Sequence, residues 1–184
     1  MTAPRLWRRV GFAAATLLGT LALVGWLAVG DRPEDLRDSI TTEFPHVRWV
    51  DVPTLDAWLS SEGPPVLLDA RAPEEFAVSH LLRAQRVDPD HPDLDALAEL
   101  RTRRIVVYCS VGYRSAKVAQ TLGEAHFPRV YNLEGGIFAW ANAGKPVYAD
   151  GREVHHVHPF DRVWGRFLRA ELRSVTPATP PSHR

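Results

Sequence analysis

Two short runs constrain this 184-residue chain most, Val66-Leu67-Leu68 and Ile105-Val106-Val107-Tyr108. A strand with one wet face alternates apolar and polar residues. A run that does not alternate is buried on both faces, as in a parallel sheet covered by helices. Segments of helical spacing separate these runs from three further strand candidates: Arg48 to Asp51, Gln85 to Val87, and Arg129 to Asn132. Asp51 caps a helix carrying Leu55, Trp58 and Leu59 on one face, and Pro73 opens a helical turn through Phe76. Pro92 to Arg101 is expected to be helical, with Leu94, Leu97, Ala98 and Leu100 toward the core. A helix is expected to open at Arg114 or Ser115 and run to about Ala125, and another to cover Gly136 to Ala143 before Gly144 and Pro146. Strands alternating with helices predict an α/β fold, a parallel sheet of about five short strands flanked by helices on both faces.

The second run ends in Cys109, the one cysteine of the chain, so no internal disulfide and no resolving thiol is available to it. Strand, cysteine, short loop and helix make a recipe for an activated thiol. The loop amides and the helix N-terminus converge on one point and favour negative charge there, so the sulfur is expected to be a nucleophilic thiolate. Gly112 lets the loop curl inward without a Cβ clash. The competing reading is an inert cysteine buried at a strand end, a common fate of free cysteines.

Three motifs in order give the chain a family likeness. Cys109-Ser110-Val111-Gly112-Tyr113-Arg114-Ser115 resembles the C-x-x-G-x-R active-site loop of rhodanese-type sulfurtransferases. Asp69-Ala70-Arg71-Ala72-Pro73-Glu74-Glu75-Phe76 resembles the D-x-R-x-x-x-E-F strand-and-turn motif of that family. Leu133-Glu134-Gly135-Gly136, followed by Trp140, resembles its L-x-G-G-x-x-x-W motif. The likeness covers roughly Trp49 to Val147.

It implies a rhodanese-like fold and a catalytic Cys109 that takes a sulfane sulfur from thiosulfate or a persulfide and passes it to a thiol or cyanide. Ser110, Val111, Gly112, Tyr113, Arg114 and Ser115 would form the substrate-binding loop, with no cofactor and no metal. Arg114 stands at a helix N-terminus, where the dipole disfavours a cation, and this points to a role in binding an anionic donor. Asp69, at the carboxyl end of a strand, is a possible accessory residue. Arg71 is expected to organise the turn by pairing a carboxylate such as Glu75. A phosphate-ester hydrolase on this fold needs five residues between cysteine and arginine; four separate Cys109 from Arg114, which suits a single sulfur atom. A non-catalytic, membrane-anchored binding module is the other reading, and retention of Cys109, Gly112 and Arg114 argues against it. Where the family turn after His80 carries Pro and Gly, this chain has Leu81, Leu82, Arg83 and Ala84.

The ends carry different signals. Val10 to Gly30 is an uncharged run that reaches the roughly 20 residues a membrane-spanning helix requires, and Trp7 and Trp26 lie near its ends. Residues 1–30 are therefore expected to be a single-pass anchor in a bacterial inner membrane. A cleaved signal peptide is the alternative, with Ala28-Val29-Gly30 as a weak cleavage site. Arg5, Arg8 and Arg9 place the N-terminus in the cytoplasm and the domain on the periplasmic side. A linker helix follows over 31–45, with Leu36, Ile40 and Phe44 on one face, then the domain over 46–148. In the extension, 149–184, Val163, Trp164, Phe167, Leu168 and Leu172 predict a basic amphipathic helix before a disordered Pro-, Thr- and Ser-rich end. His155, His156 and His158 lack the partner spacing of a metal site. Arg and Lys number 22 against 22 Asp and Glu, a balance that offers nucleic acid no attractive field.

Overall fold

The computed structural model describes residues 33–177. The expected anchor over 1–30 lies outside the described residues, among which no helix is long and apolar enough to cross a membrane. The chain divides into two units, Met1–Leu36 and Arg37–Arg184. Of the first, the description covers only the opening turn of helix α1 (Pro33–Glu43); within the second, α1 buries Ile40, and Phe44 is buried just beyond its end.

The second unit is built on the expected parallel sheet. Its strands are β1 (Trp49–Val50), β2 (Val66–Asp69), β3 (Gln85–Arg86), β4 (Ile105–Tyr108) and β5 (Val130–Leu133), in the order β1-β5-β4-β2-β3. All four residues of β4 are buried, as an unbroken apolar run at the sheet centre requires. Helices α2 (Val52–Leu59), α3 (Pro73–Val78), α4 (Tyr113–Glu124) and α5 (Gly136–Asn142) connect and cover the strands. Asp51 caps α2 as expected, accepting from the Thr54 N–H at 2.9 Å. The core faces of α4 and α5 are Ala116, Val118, Ala119 and Leu122, and Ile137, Phe138 and Trp140.

Several expectations need correction. Over Pro92 to Arg101 only Ala98–Leu100 forms a helical turn, of 3₁₀ type. Asp93 accepts from the Ala96 N–H at 3.0 Å as a cap would. Further on, the N–H groups of Ala98, Leu100 and Arg101 reach back three residues, to the carbonyls of Asp95, Leu97 and Ala98, so the segment stays in tight turns. The amphipathic helix expected in the extension is instead two 3₁₀ turns, Trp164–Phe167 and Ala170–Leu172, with Leu168 extended between them. Asn142 of α5 holds the Phe167 carbonyl at 2.7 Å and the Arg169 N–H at 2.9 Å, claiming groups a continuous helix would use internally. Arg71 pairs Asp69, not Glu75. The partnership is fully buried, with Nη2 at 2.6 Å from Oδ2, and the guanidinium also donates to the Ser79 carbonyl.

Two features were not expected. Strands β6 (Val147–Ala149) and β7 (Arg152–Val154) form an antiparallel hairpin, with Asp150 and Gly151 both at positive φ in its turn. Asp-Gly is a strong two-residue hairpin signal, so this element was legible. At the turn after His80, Arg83 takes φ 61° where a glycine would be at ease, and Ala84 closes the turn onto the Leu81 carbonyl. Arg83 holds this left-handed conformation at the expense of local strain.

Candidate active site

Cys109 sits where β4 ends, at the carboxyl edge of the sheet, where loops between strand and helix gather functional groups. It is 1% exposed. Its Sγ accepts a hydrogen bond from the Gly112 N–H at 3.1 Å, within the turn that leads into α4. Gly112 holds φ at +113°, a value open to glycine alone at low cost. The loop is clamped from outside as well. The Cys109 and Ser110 carbonyls accept from the Ile137 and Phe138 N–H groups at 2.9 and 3.2 Å, joining the first turn of α5 to the loop. Gly136 makes that approach possible, because a Cβ there would fall on the Cys109 carbonyl oxygen.

Glu75 of α3 is the charged centre of the surroundings. Only 1% exposed, it accepts from Arg114 Nη1 at 2.7 Å and Nη2 at 2.9 Å, from the Ser110 hydroxyl at 2.9 Å and from the Ala72 N–H at 3.0 Å. Burial by itself pushes its carboxyl up, but the hydrogen bond and charge of Arg114, the Ala72 N–H and the Arg71 charge together hold it below the usual value. The helix-dipole penalty on Arg114 is therefore met by a bidentate carboxylate within the protein. Motif reading found Glu75 but gave it the wrong arginine.

The six loop residues are brought together around the turn. Ser110 and Val111 are buried, and Ser115 is fully buried. Tyr113 faces outward and donates to Glu43 at 2.6 Å; burial, then the bond to Glu43 and its charge, push the phenol up to about 12. Asp69 is spent on Arg71, with both carboxylate oxygens engaged. Asn132, expected only as the end of a strand, is fully buried on β5 and donates to the Gly112 carbonyl at 2.8 Å. A polar residue inside an otherwise apolar buried strand is the signal that marks it.

Two features border the loop on the solvent side. A cleft of about 540 Å³ runs along α4, lined by Arg114 and Lys117 together with Glu43, Phe44 and Asp90; Cys109 does not line it. From the extension, Phe160 lays its ring over the Arg114 guanidinium at 4.8 Å. Among the described residues no cluster of His, Cys, Asp and Glu has metal-binding geometry.

Comparison with known proteins adds the following. Residues 51–143 match the family model described as a rhodanese-like domain. A sulfurtransferase from Allochromatium vinosum is 34% identical over 104 residues, which cover 56% of this chain and 96% of that protein. The probable adenylyltransferase/sulfurtransferase MoeZ of Mycobacterium tuberculosis is 35% identical over 91 residues, 48% of this chain but 23% of the relative. A solution structure of a rhodanese-like domain from Anabaena sp. superposes with a TM-score of 0.50 at 25% identity, covering 56% of this chain and 80% of that one.

Proposed function

This chain belongs to the rhodanese-like domain family, and from that premise we propose that it is a sulfurtransferase working through a persulfide on Cys109. The observation that carries the proposal is the Gly112 N–H aimed at Cys109 Sγ at 3.1 Å, at the mouth of a helix N-terminus. In the first step the Cys109 thiolate attacks the outer sulfur of a donor. A new S–S bond forms, the donor's S–S bond breaks, and the leaving group departs with the electron pair, as sulfite from thiosulfate or as a thiolate from a persulfide. In the second step an external thiol or cyanide attacks the outer sulfur, and the Cys109 thiolate leaves. The persulfide is anionic, and in this reading the loop N–H groups stabilise it, that of Gly112 being aimed at the sulfur beforehand.

Ser110, Val111, Gly112, Tyr113, Arg114 and Ser115 form the binding loop in this reading. Arg114 braces the loop through Glu75, and Asp69 supports the fold at a distance. Because Cys109 is almost wholly buried, a donor reaches its sulfur only with local movement of the groups around it.

Mass spectrometry after incubation with thiosulfate or a small persulfide tests the reading. A gain of one sulfur atom is expected in the parent and none in Cys109→Ser. No gain from either donor would return the chain to the binding-module reading, and equal gain in both proteins would remove Cys109 from the chemistry.

We infer further that residues 1–30 anchor the chain in a bacterial inner membrane with the domain outside the cytoplasm, on the strength of the Val10–Gly30 run and the arginines before it. An alkaline phosphatase fused to the C-terminus is expected to be active in a bacterial host; an inactive fusion made at normal level would reverse the orientation.

A further inference from the structure

Asn132 is an expensive residue for its position. It is fully buried on β5, between Trp49 of β1 and Val107 of β4 in the sheet register, and its Oδ1 has no partner. An apolar side chain of the same size would satisfy the strand and leave no orphaned oxygen. What the amide does achieve is one bond, from Nδ2 to the Gly112 carbonyl at 2.8 Å.

That carbonyl also accepts the first intrahelical bond of α4, from the Ala116 N–H at 3.1 Å. Gly112 can rotate its flanking peptides at little steric cost, so its orientation depends on such outside holds. The carbonyl belongs to the Gly112–Tyr113 peptide and the N–H to the Val111–Gly112 peptide, so the hold acts through the dihedrals of Gly112. With the carbonyl oxygen drawn toward β5 and Gly112 at φ 113° and ψ −9°, the N–H is directed at the Cys109 sulfur. Released from β5, the Gly112 dihedrals can change and carry the N–H off the sulfur, which disfavours the thiolate. Trp49 packs against the same residue beside Asn132, its ring 3.4 Å from where a Gly112 Cβ would stand.

We propose that Asn132 is a positioning residue for Cys109, locking the Gly112 peptides so that the loop stabilises negative sulfur. The proposal rests on the persulfide reading, but its test does not need a sulfur donor. The pH profile of thiolate ultraviolet absorbance, with Cys109→Ser as the blank, is compared in the parent, Asn132→Leu and Asn132→Asp. Leucine removes the donor at similar size, and aspartate keeps the shape while presenting oxygens to a carbonyl. Both variants are expected to titrate at higher pH than the parent, with about a tenfold loss of thiolate at a given pH below the midpoint. Circular dichroism confirms that each variant is folded. An unshifted profile in a folded variant overturns the proposal and leaves sulfur transfer by Cys109 untouched; conversely, a parent that forms no persulfide leaves the titration result standing. If neither variant folds, nuclear magnetic resonance of the parent decides. The Asn132 side-chain amide and the Gly112 N–H should then titrate with the thiol, and an Asn132 amide that ignores it overturns the proposal.

Discussion

Gly136→Ala is expected to collapse the loop that carries Cys109. An added Cβ would fall on the Cys109 carbonyl oxygen and lie 2.7 Å from the Ser110 oxygen and 2.8 Å from its carbonyl carbon. All three atoms are backbone, so no rotamer change relieves the clash. The residue also sits at φ +57°, which strains any side chain. Overpacking and strain together cost about 2–5 kcal/mol, a large share of the roughly 5–15 kcal/mol that holds a domain folded. To escape, α5 must withdraw, breaking the Ile137 and Phe138 bonds to the loop. Denaturant unfolding should show the loss of stability, and persulfide formation should fall with it. Gly123→Ala is the control: it is an exposed helical position with nothing within 4 Å of the new methyl, and it is expected to be neutral or to stabilise by roughly 0.5–1 kcal/mol. A Gly136→Ala protein as stable and active as the parent would mean that the contact between α5 and the loop is not required.

Glu75→Gln carries the second largest effect. Glutamine keeps the shape but gives up the charge that meets Arg114 and the second carboxylate oxygen, while Ser110 and Ala72 must share what remains. Removing one partner of a buried pair commonly costs about 3–5 kcal/mol; the Arg114 side chain is 24% exposed, which brings the expectation to about 2–3 kcal/mol. The dependence on pH has a definite sign. Arg114 and the other donors outweigh the opposing effect of burial, so the folded carboxyl ionises below the ordinary 4.5. The native state therefore binds this proton less readily than the unfolded chain, and the stabilisation is complete above 4.5. It drains away as pH falls through the lower folded value. Unfolding curves of parent and variant should stand apart at pH 7 and draw together in acid. A gap of equal size at both would show that the charge of Glu75 does not stabilise the fold. Asp51, held below its usual value by the Thr54 side chain and then the Thr54 N–H, and Asp88, held down by the Asp90 and His91 N–H groups, contribute an acid limb common to both proteins.

What was readable in the sequence follows from range. The continuous apolar runs placed β2 and β4 with their observed ends, because burial on both faces leaves a mark in the residues themselves. Helix α4 was also legible, opening at Tyr113, one or two residues before the expected Arg114 or Ser115. β5 was displaced by one residue, its polar Asn132 read as the end of the strand. Elements governed by distant partners were lost. The spacing of Trp164, Leu168 and Leu172 is helical, but two bonds from Asn142 outweigh it. At the site, Cys109 and Gly112 announce themselves through local spacing. The partner of Glu75 does not, since Arg71 lies four residues away and Arg114 is brought in by the fold. Asp69, two residues before Arg71 at the strand end, takes the nearer arginine, with a bond to its N–H as well.

The strand order has a consequence for how the chain comes into being. β1 is the first strand to be synthesised, yet it pairs only with β5, the last strand of the parallel sheet. Contacts so distant along the chain close slowly, because the loop between them must first lose its freedom. β2 and β4 can meet earlier, so the thiol at the end of β4 is made and placed before its surroundings are complete. Until β5 arrives there is no Asn132 to hold Gly112, and until β1 docks there is no Trp49 against it. The nascent chain thus carries its one cysteine through a period of incomplete shelter. In that interval a passing oxidant, or a second unfinished copy, meets a sulfur that the finished protein keeps inside.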